Sequence, residues 1–149
     1  MTRDDQARRL VEHLQVVLEE AQAVDKKTAT TRANLSTQEV RVLRAVGRQD
    51  RCIMSAIADA ICLSLSSCTG LIDRLVAKKL VKRDRSGDDR RVVEVELTEE
   101  GREAREASME GPVEFARDLL KGLNDEEQRA LVGLFSKIAD RIGSEKRTA

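Results

Sequence analysis

One stretch, residues 63 to 101, constrains the fold more than any other, because a Ser-rich helix start, a helix of apolar spacing, a basic hairpin and an arginine-bearing turn follow one another there without a gap. Cys68, Leu71, Ile72, Leu75 and Val76 recur at helical spacing and predict a helix from Ser66 to about Lys79 with one buried face. The opposite face, made of Ser66, Ser67, Thr69, Gly70, Asp73, Arg74 and Ala77, is small and polar. A face this slim can approach the floor of a DNA major groove, which is about 12 Å wide. Val81 to Arg85 and Val92 to Leu97 read as two strands, joined by the turn Ser86-Gly87-Asp88-Asp89-Arg90-Arg91. The order of these pieces is that of a winged helix-turn-helix and predicts a mainly α fold with a small β-wing, an α+β architecture.

The rest of the chain supplies helices on either side. Leu10, Leu14, Val17, Leu18, Ala21 and Val24 form an apolar stripe on a helix over about residues 4 to 28, followed by a polar break at Thr28 to Asn34. Ser36 followed by Glu39 is a capping box for a short helix whose buried stripe is Val40, Leu43 and Val46, closed by Gly47 to Asp50. Cys52-Ile53-Met54 predicts a short strand, Ser55 the cap of a third helix with Ile57, Ala58 and Ile61 inward, and Cys62-Leu63-Ser64 the turn that follows. Thr98 caps a long helix that Gly111-Pro112 interrupts or kinks. Asn124 with Glu127 caps a last helix carrying Leu131, Leu134, Phe135, Ile138 and Ile142. A chain of 149 residues fits a single domain, 1–149, with the winged helix-turn-helix at 36–97.

The formal net charge is zero, but the charge is unevenly placed. Between residues 63 and 91, Arg74, Lys78, Lys79, Lys82, Arg83, Arg85, Arg90 and Arg91 face only Asp73, Asp84, Asp88 and Asp89, whereas from 94 to 127 acidic residues dominate. One region attracts phosphate and the other repels it. A basic hairpin tip beside a groove-sized helix points to double-stranded DNA as the partner. No apolar run is long enough to cross a membrane, and Met1-Thr2-Arg3-Asp4-Asp5 has no signal-peptide pattern. The expectation is a soluble, cytoplasmic protein with no membrane partner.

Catalysis finds little to work with. His13 is the only histidine, and a Gly-x-Ser-x-Gly elbow, a phosphate loop and a glycine-rich dinucleotide turn are all missing, so no nucleophile has a base and no enzyme is expected. Cys52, Cys62 and Cys68 form no C-x-x-C pair and lack metal-ligand spacing, so no metal or cofactor is expected. Cys62 and Cys68 do bracket the turn into the groove-sized helix, where oxidation would tilt that helix; a redox-sensing regulator is therefore one alternative. The plainer reading makes Cys68 a buried core thiol and Cys52 a strand filler.

Leu35-Ser36-Thr37-Gln38-Glu39-Val40, Ile57-Ala58, Leu63-Ser64, Ile72-Asp73-Arg74-Leu75, Leu80-Val81, Asp89-Arg90-Arg91 and Leu97-Thr98-Glu99-Glu100-Gly101, in that order, resemble the multiple antibiotic resistance regulator (MarR) family. The resemblance covers nearly the whole chain and implies a homodimeric winged-helix repressor. It implies dimerisation through the helices at 4–28 and 98–143, a palindromic operator, and release by a small-molecule effector. It also assigns roles. Ser64 would meet a phosphate just before the helix; Ser66, Ser67, Thr69 and Gly70 would enter the major groove, with Arg74 one turn further on. Arg91 would reach the minor groove beside Arg85 and Arg90, steadied by Asp89.

Three positions depart from the family pattern. Cys62 and Lys79 stand where the family commonly has Gly at turns that favour a positive φ, and Gly70 stands where it usually carries a longer polar or basic side chain. Gly70 cannot read a base edge, which gives weight to a second alternative, a dimeric helical interaction module with a degenerate winged helix.

Overall fold

A computed structural model describes residues 1–32 and 34–148, with side chains described outside 28–33 and 146–149. In chain order the elements are α1 (Arg3–Arg32), α2 (Thr37–Val46), β1 (Cys52–Ile53), α3 (Met54–Ala60), α4 (Leu65–Ala77), β2 (Val81–Arg85), β3 (Val93–Leu97), α5 (Glu99–Leu120) and α6 (Asp125–Thr148). The strands form an antiparallel sheet of order β1-β3-β2. The chain divides into two compact units, Met1–Pro112 and Val113–Ala149. The mainly helical winged helix-turn-helix expected from the sequence is therefore the architecture observed.

The core belongs to the first unit. Val42, Leu43 and Val46 of α2, Ile57 of α3, Cys68, Ile72 and Leu75 of α4, and Val95 of β3 are all but completely buried. On α2 the capping box is complete: Ser36 Oγ accepts from Glu39 N at 3.1 Å and Glu39 Oε2 from Ser36 N at 2.8 Å. In the second unit, Asn124 Oδ1 accepts from Glu126 N and Glu127 N, each at 3.0 Å, and Asn124 N donates back to Glu127 Oε2 at 2.9 Å. Both caps were legible because each is made within four residues.

Helices α3 and α4 meet at 106°, the geometry of a helix-turn-helix. Each ends in the same way. At the end of α3, Cys62 N donates to Asp59 O and Leu63 N to Ala58 O; at the end of α4, Lys79 N donates to Val76 O and Leu80 N to Leu75 O. These paired bonds are Schellman motifs, which need a left-handed residue, and Cys62 (φ 56°) and Lys79 (φ 60°) take that conformation despite their side chains.

The Leu-Thr-x-x-Gly motif has a packing reason. Thr98 N donates to Leu80 O, while Thr98 Oγ1 donates to Lys79 O at 2.7 Å and accepts from Gly101 N at 3.0 Å. A Cβ on residue 101 would lie 1.8 Å from Leu80 O. Only glycine lets the first turn of α5 dock against the turn that closes α4.

Four local expectations are corrected. Helix α1 does not stop at Thr28 but runs to Arg32, since residues 28–32 contain neither Gly nor Pro to break it. Ser55 does not cap α3; Ile53 holds the N-cap position with no side-chain bond, because the chain enters the helix directly from β1. Helix α4 starts at Leu65, one residue early, because the cap is Ser64. Of the interruption or kink expected at Gly111-Pro112, the interruption does not occur, since α5 continues to Leu120. Pro112 has no N–H to give the carbonyl four residues back, that of Ser108. That carbonyl instead accepts from Arg44 Nη2 at 2.5 Å, while Arg44 Nη1 pairs with Asp25 of α1 at 2.9 Å.

Candidate nucleic-acid interface

Helix α4 turns its apolar face inward because Cys68, Leu71, Ile72 and Leu75 are buried; Val76, expected with them, is half-buried against the core. That leaves Ser66, Ser67, Asp73, Arg74 and Ala77 exposed, with Thr69 and Gly70 half-buried. Ser64 Oγ accepts from Ser67 N at 3.1 Å and donates to Ser67 Oγ at 2.9 Å, so both hydroxyls belong to the helix start. Thr69 Oγ1 donates back to Leu65 O at 2.8 Å. Around Gly70 the space is open: a Cβ there would meet nothing within 4 Å.

The wing stands beside this face. In the register Val81↔Leu97, Arg83↔Val95 and Arg85↔Val93, alternation puts Val81, Arg83 and Arg85 on the core side of β2, and Lys82 and Asp84 opposite Glu96 and Glu94 on the other. Val81 is buried, and towards the tip the same face carries Arg83 into an ion pair with Asp73 of α4. The wing is thereby tied to the exposed face of the helix. Sequence reasoning did not single out Arg83; the strand alternation from buried Val81 was the available signal.

At the tip, Asp89 Oδ1 accepts from Arg91 N at 3.0 Å and lies 3.6 Å from Arg91 Nε, so one carboxylate holds both ends of a residue whose side chain is 94% exposed. Arg85 Nη1 donates to Arg90 O at 3.4 Å across the turn. A groove of about 690 Å³ runs between helix and wing, lined among others by Ile53, Leu65, Thr69, Arg83, Arg85 and Arg91. The arrangement offers guanidinium groups on one side and a slim polar helix on the other, which suits a phosphate backbone beside a major groove.

Behind this face lies a carboxylate that the sequence reading used only as a cap. Glu39 of α2 is buried, yet Lys78 Nζ reaches its Oε2 at 2.9 Å and Arg74 Nε its Oε1 at 3.4 Å. Burial pushes this carboxyl up, but the Ser36 N–H, Lys78 and Arg74 outweigh burial and hold it below its ordinary value.

The cysteines divide by environment. Cys52 and Cys68 are buried, and burial pushes both thiols up, away from the thiolate that oxidation requires. Cys62 is exposed, its Sγ 3.9 Å from Asp59 O. Among the described residues no group of three or more His, Cys, Asp or Glu is placed to hold a metal ion, and no single helix is long and apolar enough to cross a membrane.

Known proteins share this arrangement. The MarR family profile matches residues 35–93, from the cap of α2 to the start of β3. The HTH-type transcriptional regulator YpoP of Bacillus subtilis strain 168 is 31% identical over 104 residues, which cover 70% of this chain and 74% of that protein. Among solved structures, BpsR of Bordetella bronchiseptica, whose DNA binding is regulated by 6-hydroxynicotinic acid, is similar at a TM-score of 0.66 and 27% identity over 88% of this chain and 98% of its own. Apo MarR of E. coli shares the fold at a TM-score of 0.71 and 22% identity, over 87% and 95% of the two chains. With the winged helix, its motifs and these relatives in agreement, the chain belongs to the MarR family of HTH-type transcriptional regulators.

Proposed function

We propose that the chain is a homodimeric repressor that binds a palindromic operator and releases it when a small organic acid binds. The observation that carries this reading is the basic edge of Arg74, Arg83, Arg85, Arg90 and Arg91 beside the slim face of α4. In it, Ser66, Ser67, Thr69 and Gly70 enter the major groove, and Ser64 with the first N–H groups of α4 meets a phosphate. Arg91, steadied by Asp89, enters the minor groove, and Arg85 and Arg90 follow the backbone. Because Gly70 supplies no donor, affinity rests on phosphates and the wing more than on base edges.

Dimerisation through the helices at 4–28 and 98–143 is supported by apolar side chains left exposed: Leu10 and Leu18 on α1, and Leu134, Phe135, Ile138 and Ile142 on α6. A two-fold dimer presents two copies of α4 and so calls for a palindrome. The regulation of BpsR by 6-hydroxynicotinic acid supports a carboxylate effector. The cleft of about 650 Å³ between α1, α2 and the end of α3, lined by Lys26, Arg41, Arg44 and Arg48 among others, suits an organic anion.

Selection of bound duplexes from a random-core library tests this reading. A two-fold symmetric consensus is expected, and Arg91→Ala should weaken binding to it and flatten the salt dependence by about one phosphate equivalent or less. No preference over random duplex at physiological salt would sink the regulator reading and favour the interaction module.

A further inference from the structure

The environment of Glu39 exceeds what a helix cap needs. Its side chain is 3% exposed, yet it accepts from Ser36 N at 2.8 Å and Lys78 Nζ at 2.9 Å and forms an ion pair with Arg74, whose Nε lies 3.4 Å from Oε1. One negative charge therefore sits against two positive ones at the C-terminal end of α4. The two cations are not equivalent. Lys78 is also committed to Asn34 O at 2.9 Å, and its side chain is 34% exposed. Arg74 is 61% exposed and, among the described residues, is held through Nε alone, so both its Nη groups remain unengaged on the face that carries Ser66, Gly70 and Asp73.

We propose that Glu39 is a positioning residue for DNA binding: it grips Arg74 at Nε, so that the Nη edge meets one phosphate of a correctly docked duplex, and it cancels one of the two positive charges that would otherwise bind any phosphate. The inference rests on the DNA-binding reading given above. An untethered arginine samples many rotamers and attracts every backbone alike, whereas a guanidinium fixed at Nε rewards only the docking geometry that places a phosphate at its Nη edge. Specificity is a difference of affinities, so restraining the non-cognate interaction raises it as surely as improving the cognate one.

Glu39→Gln is the informative change, because glutamine keeps an acceptor for the Ser36 N–H while removing the charge. Binding should be titrated against salt on a random-sequence duplex and on the duplex recovered by selection. The variant is expected to bind the random duplex several-fold more tightly, with a salt slope steeper by about one phosphate equivalent. Its preference for the selected duplex should fall. A merely structural role predicts the opposite sign, weaker binding to both duplexes in step with lost stability.

Arg74→Gln alone changes an exposed side chain and should make the slope shallower by about one. It keeps the assignment testable if Glu39→Gln fails to fold, because an unchanged slope would show that Arg74 meets no phosphate and overturn it. An unchanged slope and unchanged preference in folded Glu39→Gln would also overturn it while leaving the DNA-binding reading intact. Wild-type protein that binds no duplex at all would overturn both.

Discussion

At Lys79 a side chain occupies a backbone conformation that costs L-residues about 1–2 kcal/mol, and Cys62 repeats the situation at the end of the preceding helix. Lys79→Gly should therefore raise stability by about 1 kcal/mol, read as a higher urea midpoint at unchanged slope. A lower midpoint would mean that the lysine side chain contributes more than its backbone loses. Glu39 has a different signature, visible in acid. Its folded carboxyl lies below the ordinary value of 4.5, so its stabilisation is complete above that value and is lost as pH falls through the lower folded value. Glu39→Gln should flatten the acid limb of a stability–pH curve in that range, and a parallel limb in the variant would assign acid unfolding to other groups. The left-handed turns at Cys62 and Lys79 were legible from the sequence, because the MarR pattern places glycine there, whereas that at Asn34 was not. The partners of Glu39 were not. Residues 39, 74 and 78 become neighbours only when α2 and α4 pack, and nothing in the local spacing of either helix records it.

At the scale of elements, the sequence was most informative where a helix is defined by its own cap and stripe. Ser36 with Glu39 and Asn124 with Glu127 marked their helices correctly because capping bonds span three residues. Ser55 misled for the same reason in reverse: it is the right residue type two positions too late, and the chain enters α3 straight from β1 with Ile53 at the cap. Polarity misled at Thr28, because a polar run without Gly or Pro does not end a helix. The junction between α4 and α5 shows how a weak motif acquires force. Since a Cβ at residue 101 would press into Leu80 O, a backbone atom that cannot swing aside, Gly101→Ala should cost about 2–3 kcal/mol. Thermal unfolding measures this directly. A loss under about 0.5 kcal/mol would show that α5 can shift without penalty.

For the whole molecule, apolar side chains remain uncovered in each unit taken alone: Leu10, Val11, Val16 and Leu18 in the first, Val132, Leu134, Phe135, Ile138 and Ile142 in the second. A second copy is the covering we propose. Removal of residues 1–28 should then abolish the dimer in sedimentation equilibrium, giving monomer or aggregate; a truncated chain that still sediments as a dimer would take the first helix out of the interface. The hand-over of the Ser108 carbonyl to Arg44 has a consequence for how the molecule opens. A helix normally frays and closes on its own backbone bonds, but here one rung in the middle of α5 is supplied from α2, whose arginine is in turn anchored on α1. The stretch of α5 before Pro112 should thus exchange its amide protons in step with α2, as one cooperative foldon, while the stretch after it exchanges on a separate clock.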